Sequence, residues 1–283
     1  MNQSLSIGQC ATLACLLEVT APKPGNVHRG ADFDDVSFDD FVASAVAIGP
    51  VMERATSQNV GQTVLLAVTA TRSFVATNTN LGTVLLIAPL ATVPGSQDFS
   101  EGIANVLSGL TVQDTAAVYE AIRQAKPGGL GEVDSMDVAD AAPTNLLAAM
   151  RAASNRDLVA RQYTNNFEQV LDFVLPSISK GRDSGLLLRD AIVHAHVALM
   201  SDFPDSLIAR KCGQDIAQQA ANRAGAVLAA GAPGGENYLL ALADLDFWLR
   251  SDGHRRNPGT TADLIAAGLF VDLRLGEITP PFR

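Results

Sequence analysis

Apolar residues recur every three or four positions along this chain, and almost nowhere at every second one. Phe38, Phe41, Val42, Ala45, Val46 and Met52 fall on one such stripe, and Tyr238, Leu242, Leu245 and Leu249 on another. That spacing lines one face of a helix, whereas a half-buried strand alternates with period two. Start signals agree with it. Ser37 with Asp40, Thr111 with Asp114 and Thr260 with Asp263 have the three-residue spacing in which side chains satisfy the free N–H groups of a first turn. The last of these helices should end at Gly276. The apolar run through Val84–Ile87 is ambiguous by period, but its neighbours are helical, so it reads as a buried helix. The expectation is an all-α fold of ten to twelve helices. No internal repeat or linker breaks the pattern, so residues 1–283 read as a single globular domain.

Composition narrows the function. Hydrophobic residues make up 47% and charged residues 18%, which excludes a disordered chain. Twenty Lys and Arg against thirty Asp and Glu give a net charge of −10, without the basic footprint that nucleic acid requires. Cys10, Cys15 and Cys212 form no Cys-x-x-Cys pair, and Cys10 and Cys15 read as packing residues in a reducing compartment. The longest apolar run, Gly82–Val93, contains Pro89 and falls short of the roughly 20 residues that cross a bilayer. The N-terminal segment carries Glu18 and lacks the charge pattern of a signal peptide, so a cytoplasmic protein with no membrane partner is expected.

Four polar or glycine-rich islands interrupt the helical pattern. The first runs from Glu18 to Gly30 as EVTAPKPGNVHRG and leads into Asp32, Asp34 and Asp35. Pro22 and Pro24 stop the first helix and stiffen the loop that carries Lys23, His28 and Arg29. Cations beside carboxylates suit a magnesium–polyphosphate site, because Mg²⁺ takes oxygen ligands from one or two carboxylates and from substrate phosphates. A rigid turn with solvated charges is the plainer alternative. The second island, Thr77–Gly82, is able either to cap a helix or to bind an anion there. The third, Pro127–Glu132, is followed by Asp134 and Asp137; it is no P-loop, and reads as a lid, an anion nest or a flexible turn. The fourth, Asn257–Asp263, opens the last helix, with Thr260 or Thr261 as its cap. Asp205, Arg210 and Lys211 form a further charged stretch, with Asp205 or Ser206 as a solvated cap. His194 follows Asp190 by four residues and reads as its partner on a helix surface.

Together and in this order, the islands resemble the triphosphoribosyl-dephospho-CoA synthase family, over Glu18 to Phe270. The resemblance rests on Glu18-Val with Pro22-Lys-Pro-Gly25, Asn78-Thr79 with Gly82, Gly128-Gly-Leu-Gly-Glu132, Asp205-Ser with Arg210-Lys211, and Pro258-Gly with Ala262-Asp-Leu264 and Leu269-Phe270. It implies an all-α transferase that joins the 2′-hydroxyl of 3′-dephospho-CoA to C1 of the ATP ribose and releases adenine. Breaking that N-glycosidic bond builds positive charge at C1, so a carboxylate is needed beside it and a second to take the hydroxyl proton. The triphosphate stays on the sugar and serves as a handle for Mg²⁺ and cationic groups.

On this reading Glu18, Asp35 and Asp205 are the candidate catalytic carboxylates. Glu18, Asp32, Asp35 and Asp263 are candidate Mg²⁺ ligands. Lys23, Gly25, His28, Arg29, Asn78, Thr79, Asn80, Gly82, Arg210 and Lys211 are candidates for nucleotide and phosphate binding. ATP and dephospho-CoA are the expected small-molecule partners, with self-association left open. The chain departs from the family where Asn-Thr-His-Lys-Gly is usual: it has Asn78-Thr79-Asn80-Leu81-Gly82, without the histidine or the lysine. Two alternatives therefore stand beside the leading reading. One is ribosyl transfer to another acceptor, as in tetrahydromethanopterin-type cofactor synthesis. The other is a non-catalytic nucleotide-binding protein.

Overall fold

The computed structural model describes residues 5–95, 97–128 and 138–282. Fourteen α-helices occur among them: α1 (Ile7–Thr20), α2 (Phe38–Met52), α3 (Val60–Arg72), α4 (Leu81–Thr92), α5 (Phe99–Ser108), α6 (Val112–Ala125), α7 (Leu146–Ala153), α8 (Leu158–Thr164), α9 (Leu175–Asp183), α10 (Leu188–Asp202), α11 (Ser206–Cys212), α12 (Gln214–Ala229), α13 (Glu236–Arg250) and α14 (Gly259–Leu275). The all-α expectation holds, with more helices than ten to twelve. The surplus includes α8 and α11, two turns each, too short to establish a period. Among the described residues the one strand is Ser251–His254, beside an isolated bridge between His28 and Ala31.

The capping boxes at Ser37–Asp40 and Thr111–Asp114 form as the spacing predicts. Gly276 ends α14 in the left-handed conformation. Along α2, Ala45 and Met52 are buried as expected, but Val46 is exposed. The expected cap of α14 does not form. Pro258 holds its N-cap position without a side-chain bond, and the turn is satisfied from elsewhere in the chain by Asp205.

The Val84–Ile87 run is indeed part of a buried helix, α4. Pro89 lies inside it and cannot donate to the carbonyl of Leu85, four residues earlier. The hydroxyl of Tyr163 on α8 makes that bond instead, at 2.6 Å, so the helix continues to Thr92. α14 is buried from Leu264 to Leu273 and packs against α1, α4, α8, α9, α10 and α11. A helix that is apolar on all sides belongs inside a protein. It joins α1, α4 and parts of α6–α10 in the larger of two apolar clusters, while α10–α13 supply a second around Val197, Met200, Tyr238 and Leu249. Among the described residues no helix is long and apolar enough to cross a membrane.

Candidate active site

Four chain segments stop at one place: the end of α1, the start of α4, the start of α14 and the α11 stretch. They border a cavity of about 780 Å³ lined by Glu18, Asp35, Asn78, Thr79, Asn80, Gly82, Arg210, Lys211 and Asp263. These are nine of the residues singled out from sequence. Another part of the lining comes from α6, α7 and α8 and is largely apolar, with Val118, Ile122, Ala125, Ala149, Met150, Ala153 and Ala160.

Glu18 and Asp263 are the carboxylates of the floor. Asp263 accepts a hydrogen bond from the Thr83 hydroxyl at 2.6 Å. Burial first, and then the charges of Glu18 and Asp205, push its carboxyl up to about 7. Gly82 makes this arrangement possible: a Cβ there would lie 2.1 Å from Asp263 Oδ2. At the mouth, Asp35 is 3.6 Å from His254 Nδ1, and Phe33 stacks on the same imidazole at 5.2 Å.

The second island bonds locally and also borders the cavity. Asn78 Oδ1 accepts from the Leu81 N–H at 3.1 Å and caps α4. Thr79 meets the Ser44 hydroxyl at 2.6 Å, and Asn80 donates to Thr71 at 3.0 Å. All three still face the cavity at a helix N-terminus, where N–H groups favour an anion.

Lys23 is not on the cavity surface. It is fully buried, 2.7 Å from Glu18 Oε1, and donates to the backbone carbonyls of Glu18 and Ala21. It therefore stands behind Glu18 and does not reach into the cavity. His196, buried nearby on α10, has no hydrogen-bond partner on either ring nitrogen among the described residues; burial and then Lys23 hold its pKa well below the usual value.

Of the other candidates in and after the first island, Gly25, His28, Arg29 and Asp32 also lie outside the cavity lining, although Val19, Asn26 and Val27 border it. Gly25 has φ of +75°, spends its N–H on Asp246 at 2.7 Å, and leaves no room for a Cβ beside Leu249. His28 accepts from Gly30 at 3.2 Å, and its pKa is lowered by burial and by Arg250. Arg29 is exposed. Asp32 caps the Phe38 N–H at 2.6 Å.

Asp205 caps α11 as expected, but it is fully buried and behind the lining rather than solvated. Its Oδ1 accepts from Leu207 and Ile208, and its Oδ2 from the N–H and hydroxyl of Thr261, all at 2.7–2.9 Å. With both oxygens doubly bonded it has no lone pair directed at a substrate. It joins the starts of α11 and α14. Ser206 extends the junction to α8 through the Leu158 N–H and to Thr260.

Sequence reasoning missed Asp157, Arg156, Lys126 and His254, all on the cavity wall. Asp157 caps α8 and pairs with Arg210, an arrangement that no local pattern announces. His254 stands in the run His254-Arg-Arg256 before the fourth island, and that charge cluster was its one visible cue. His194 bonds Tyr238 at 3.1 Å, while Asp190 pairs with Arg189, so the expected His194–Asp190 pair does not form. Cys10 packs in the core as expected, but Cys15 lines the cavity. Most of the third island, residues 129–137, lies outside the described residues; Pro127 and Gly128 border the cavity.

Helix starts and buried carboxylates around one cavity define an all-α protein with a cleft large enough for a nucleotide-sized molecule. Residues 4–279 match the ATP:dephospho-CoA triphosphoribosyl transferase family, and the chain belongs to it. Over 111 residues, 39% of this chain, it is 32% identical to a Pseudomonas syringae pv. tomato protein assigned as 2-(5''-triphosphoribosyl)-3'-dephosphocoenzyme-A synthase. The match spans 38% of that relative's length. A crystal structure from Archaeoglobus fulgidus, assigned as a triphosphoribosyl-dephospho-CoA synthase, superposes with a TM-score of 0.63 at 26% identity, covering 86% of this chain and 100% of that one.

Proposed function

We propose that this chain transfers the triphosphoribosyl group of ATP to the 2′-hydroxyl of 3′-dephospho-CoA and releases adenine. The observation that carries the reading is the family match across residues 4–279, a span whose polar islands supply carboxylates and helix starts to one cavity. Glu18 and Asp263 face the positive charge that grows at ribose C1 as the glycosidic bond lengthens. Lys23 and Thr83 hold these two carboxylates in place. The proton leaving the 2′-hydroxyl equals the one the departing adenine requires. His254, beside Asp35, is the cavity side chain suited to accept it.

Among the described residues no three His, Cys, Asp or Glu side chains form a metal cluster on their own. Two carboxylates together with substrate phosphates do fit Mg²⁺, and Asp263 beside Glu18 carries the unrelieved charge that a divalent cation neutralises. Glu18 and Asp263 would hold it, and it would neutralise the triphosphate. Asp35 stands nearer the mouth, and Asp32 caps α2.

The test is adenine release from ATP and Mg²⁺ by the purified protein, with and without dephospho-CoA. Release that depends on dephospho-CoA is the expected result. Release with a pterin-type acceptor alone favours the same chemistry on another acceptor, and ATP binding without release under either condition refutes a transferase.

A further inference from the structure

The four cations on one side of the cavity come from three separate elements. Lys126 follows α6, Arg156 lies between α7 and α8, and Arg210 and Lys211 end α11. They are drawn together: Arg210 pairs with Asp157, the residue after Arg156, and Lys211 Cε comes within 3.7 Å of the Cβ position at Gly128. Lys126, Arg156 and Lys211 have no ion pair among the described residues. The Nε of Arg210 is buried without a partner. Such a cluster in a cleft fits an anion of more than one charge.

Its position separates the two substrates. Lys126 and Arg156 follow α6 and α7, whose Ile122, Ala125, Ala149, Met150 and Ala153 give the cavity its apolar wall. Arg210 and Lys211 lie on α11, whose cap Asp205 bonds Thr261 on α14, the helix that carries Asp263 of the polar floor with Glu18 and Thr83. ATP carries its phosphates at its end, with nothing beyond them. In 3′-dephospho-CoA the diphosphate is internal, with a nucleoside on one side and a long uncharged pantetheine arm on the other. A cation cluster tied to both a polar floor and an apolar wall matches the second order of groups and not the first. We infer that Lys126, Arg156, Arg210 and Lys211 hold the acceptor's diphosphate, and that the α6–α7 wall holds its pantetheine arm. The inference rests on the transfer reaction proposed above and assigns the acceptor's place within it.

Binding is measured by calorimetry with the donor position filled by carbocyclic ATP and Mg²⁺. That analogue lacks the ring oxygen needed to support a C1 cation, so no turnover intervenes. The ligands are 3′-dephospho-CoA and ADP, which shares the nucleoside diphosphate and lacks the arm. Wild-type protein should bind dephospho-CoA at least tenfold more tightly than ADP. Ala149→Phe, which fills the wall, should abolish that advantage and leave ADP within twofold. Lys126→Gln, which keeps a polar side chain of similar length at an exposed position, should weaken both ligands at least fivefold and leave carbocyclic ATP within twofold. Equal wild-type affinity for the two ligands overturns the arm site, and loss of ATP analogue affinity in Lys126→Gln overturns the diphosphate site. Adenine release is read separately. The expected binding pattern without release keeps the subsite and refutes the transfer reaction. Release with an unchanged dephospho-CoA KM in both variants does the reverse.

Discussion

Replacing Lys23 by methionine keeps most of the buried stem and removes the ammonium. The ion pair with Glu18 at 2.7 Å and the bonds to the carbonyls of Glu18 and Ala21 are lost. Removing one partner of a buried pair costs about 3–5 kcal/mol, because the other charge stays behind unpaired. Glu18 borders the cavity with 12% of its side chain exposed, so water partly rescues it and the lower end, about 3 kcal/mol, is the working value. At about 2.1 cal/mol/K per residue, 283 residues unfold with roughly 0.6 kcal/mol/K, so 3 kcal/mol lowers Tm by about 5 °C. Scanning calorimetry should record that shift in Lys23→Met. The double variant Glu18→Gln with Lys23→Met should regain more than half of it, since no charge is then stranded. A Tm within about 1 °C of wild type, combined with a tenfold weaker affinity for Mg·ATP, would refute the argument and return Lys23 to the phosphate site.

Gly82→Ala should leave Tm within a few degrees while adenine release falls at least a hundredfold, because its Cβ must displace the Asp263 carboxylate 2.1 Å away; wild-type turnover in this variant would remove Asp263 from the chemistry. Asp205→Asn should cost about 2–4 kcal/mol in urea unfolding, since an amide N–H must face one of the four donors now bonded to the carboxylate; stability equal to wild type would mean that this junction does not hold α11 to α14. Asp272 on α14 is buried, and desolvation raises its carboxyl from 3.8 to about 7. The folded state therefore keeps a proton that the unfolded chain releases, so stability falls as pH rises from about 4 to 7 and is flat above. Asp272→Asn should raise Tm at pH 8, by up to about 4 kcal/mol of stability, and change it little at pH 4; the same increment at both pH values would deny the titration.

What the sequence disclosed was local. The boxes at Ser37–Asp40 and Thr111–Asp114, the αL stop at Gly276 and the buried run of α4 each involve residues within one turn or one helix. The convergence of Glu18, Asn78, Gly82 and Asp263 was legible only through the resemblance. Composition and period say nothing about contacts such as Thr83 to Asp263, 180 positions apart. Lys23 and Asp205 were misplaced for one reason: a charged side chain is ordinarily exposed. Each of these is fully buried because its partners, Glu18 for one and Thr261 with Leu207 and Ile208 for the other, satisfy it there. Lys126 and Arg156 carried no local signature, and His254 only the charge run it opens, since their placement comes from which elements end near one another.

The packing of α1 against α14 has a consequence for how the molecule is made. Glu18 leaves the ribosome early, and its cavity partner Asp263 emerges some 245 residues later, by the numbering of the two. At about 5–20 residues per second, that interval is on the order of 10–50 s. Throughout it the apolar faces of α1 and α4 lack the helix that covers them. Nascent chains therefore hold an unfinished core throughout that interval, and α14 closes the core and the cleft in one event. A closed cleft in this protein is a report that α14 has been made.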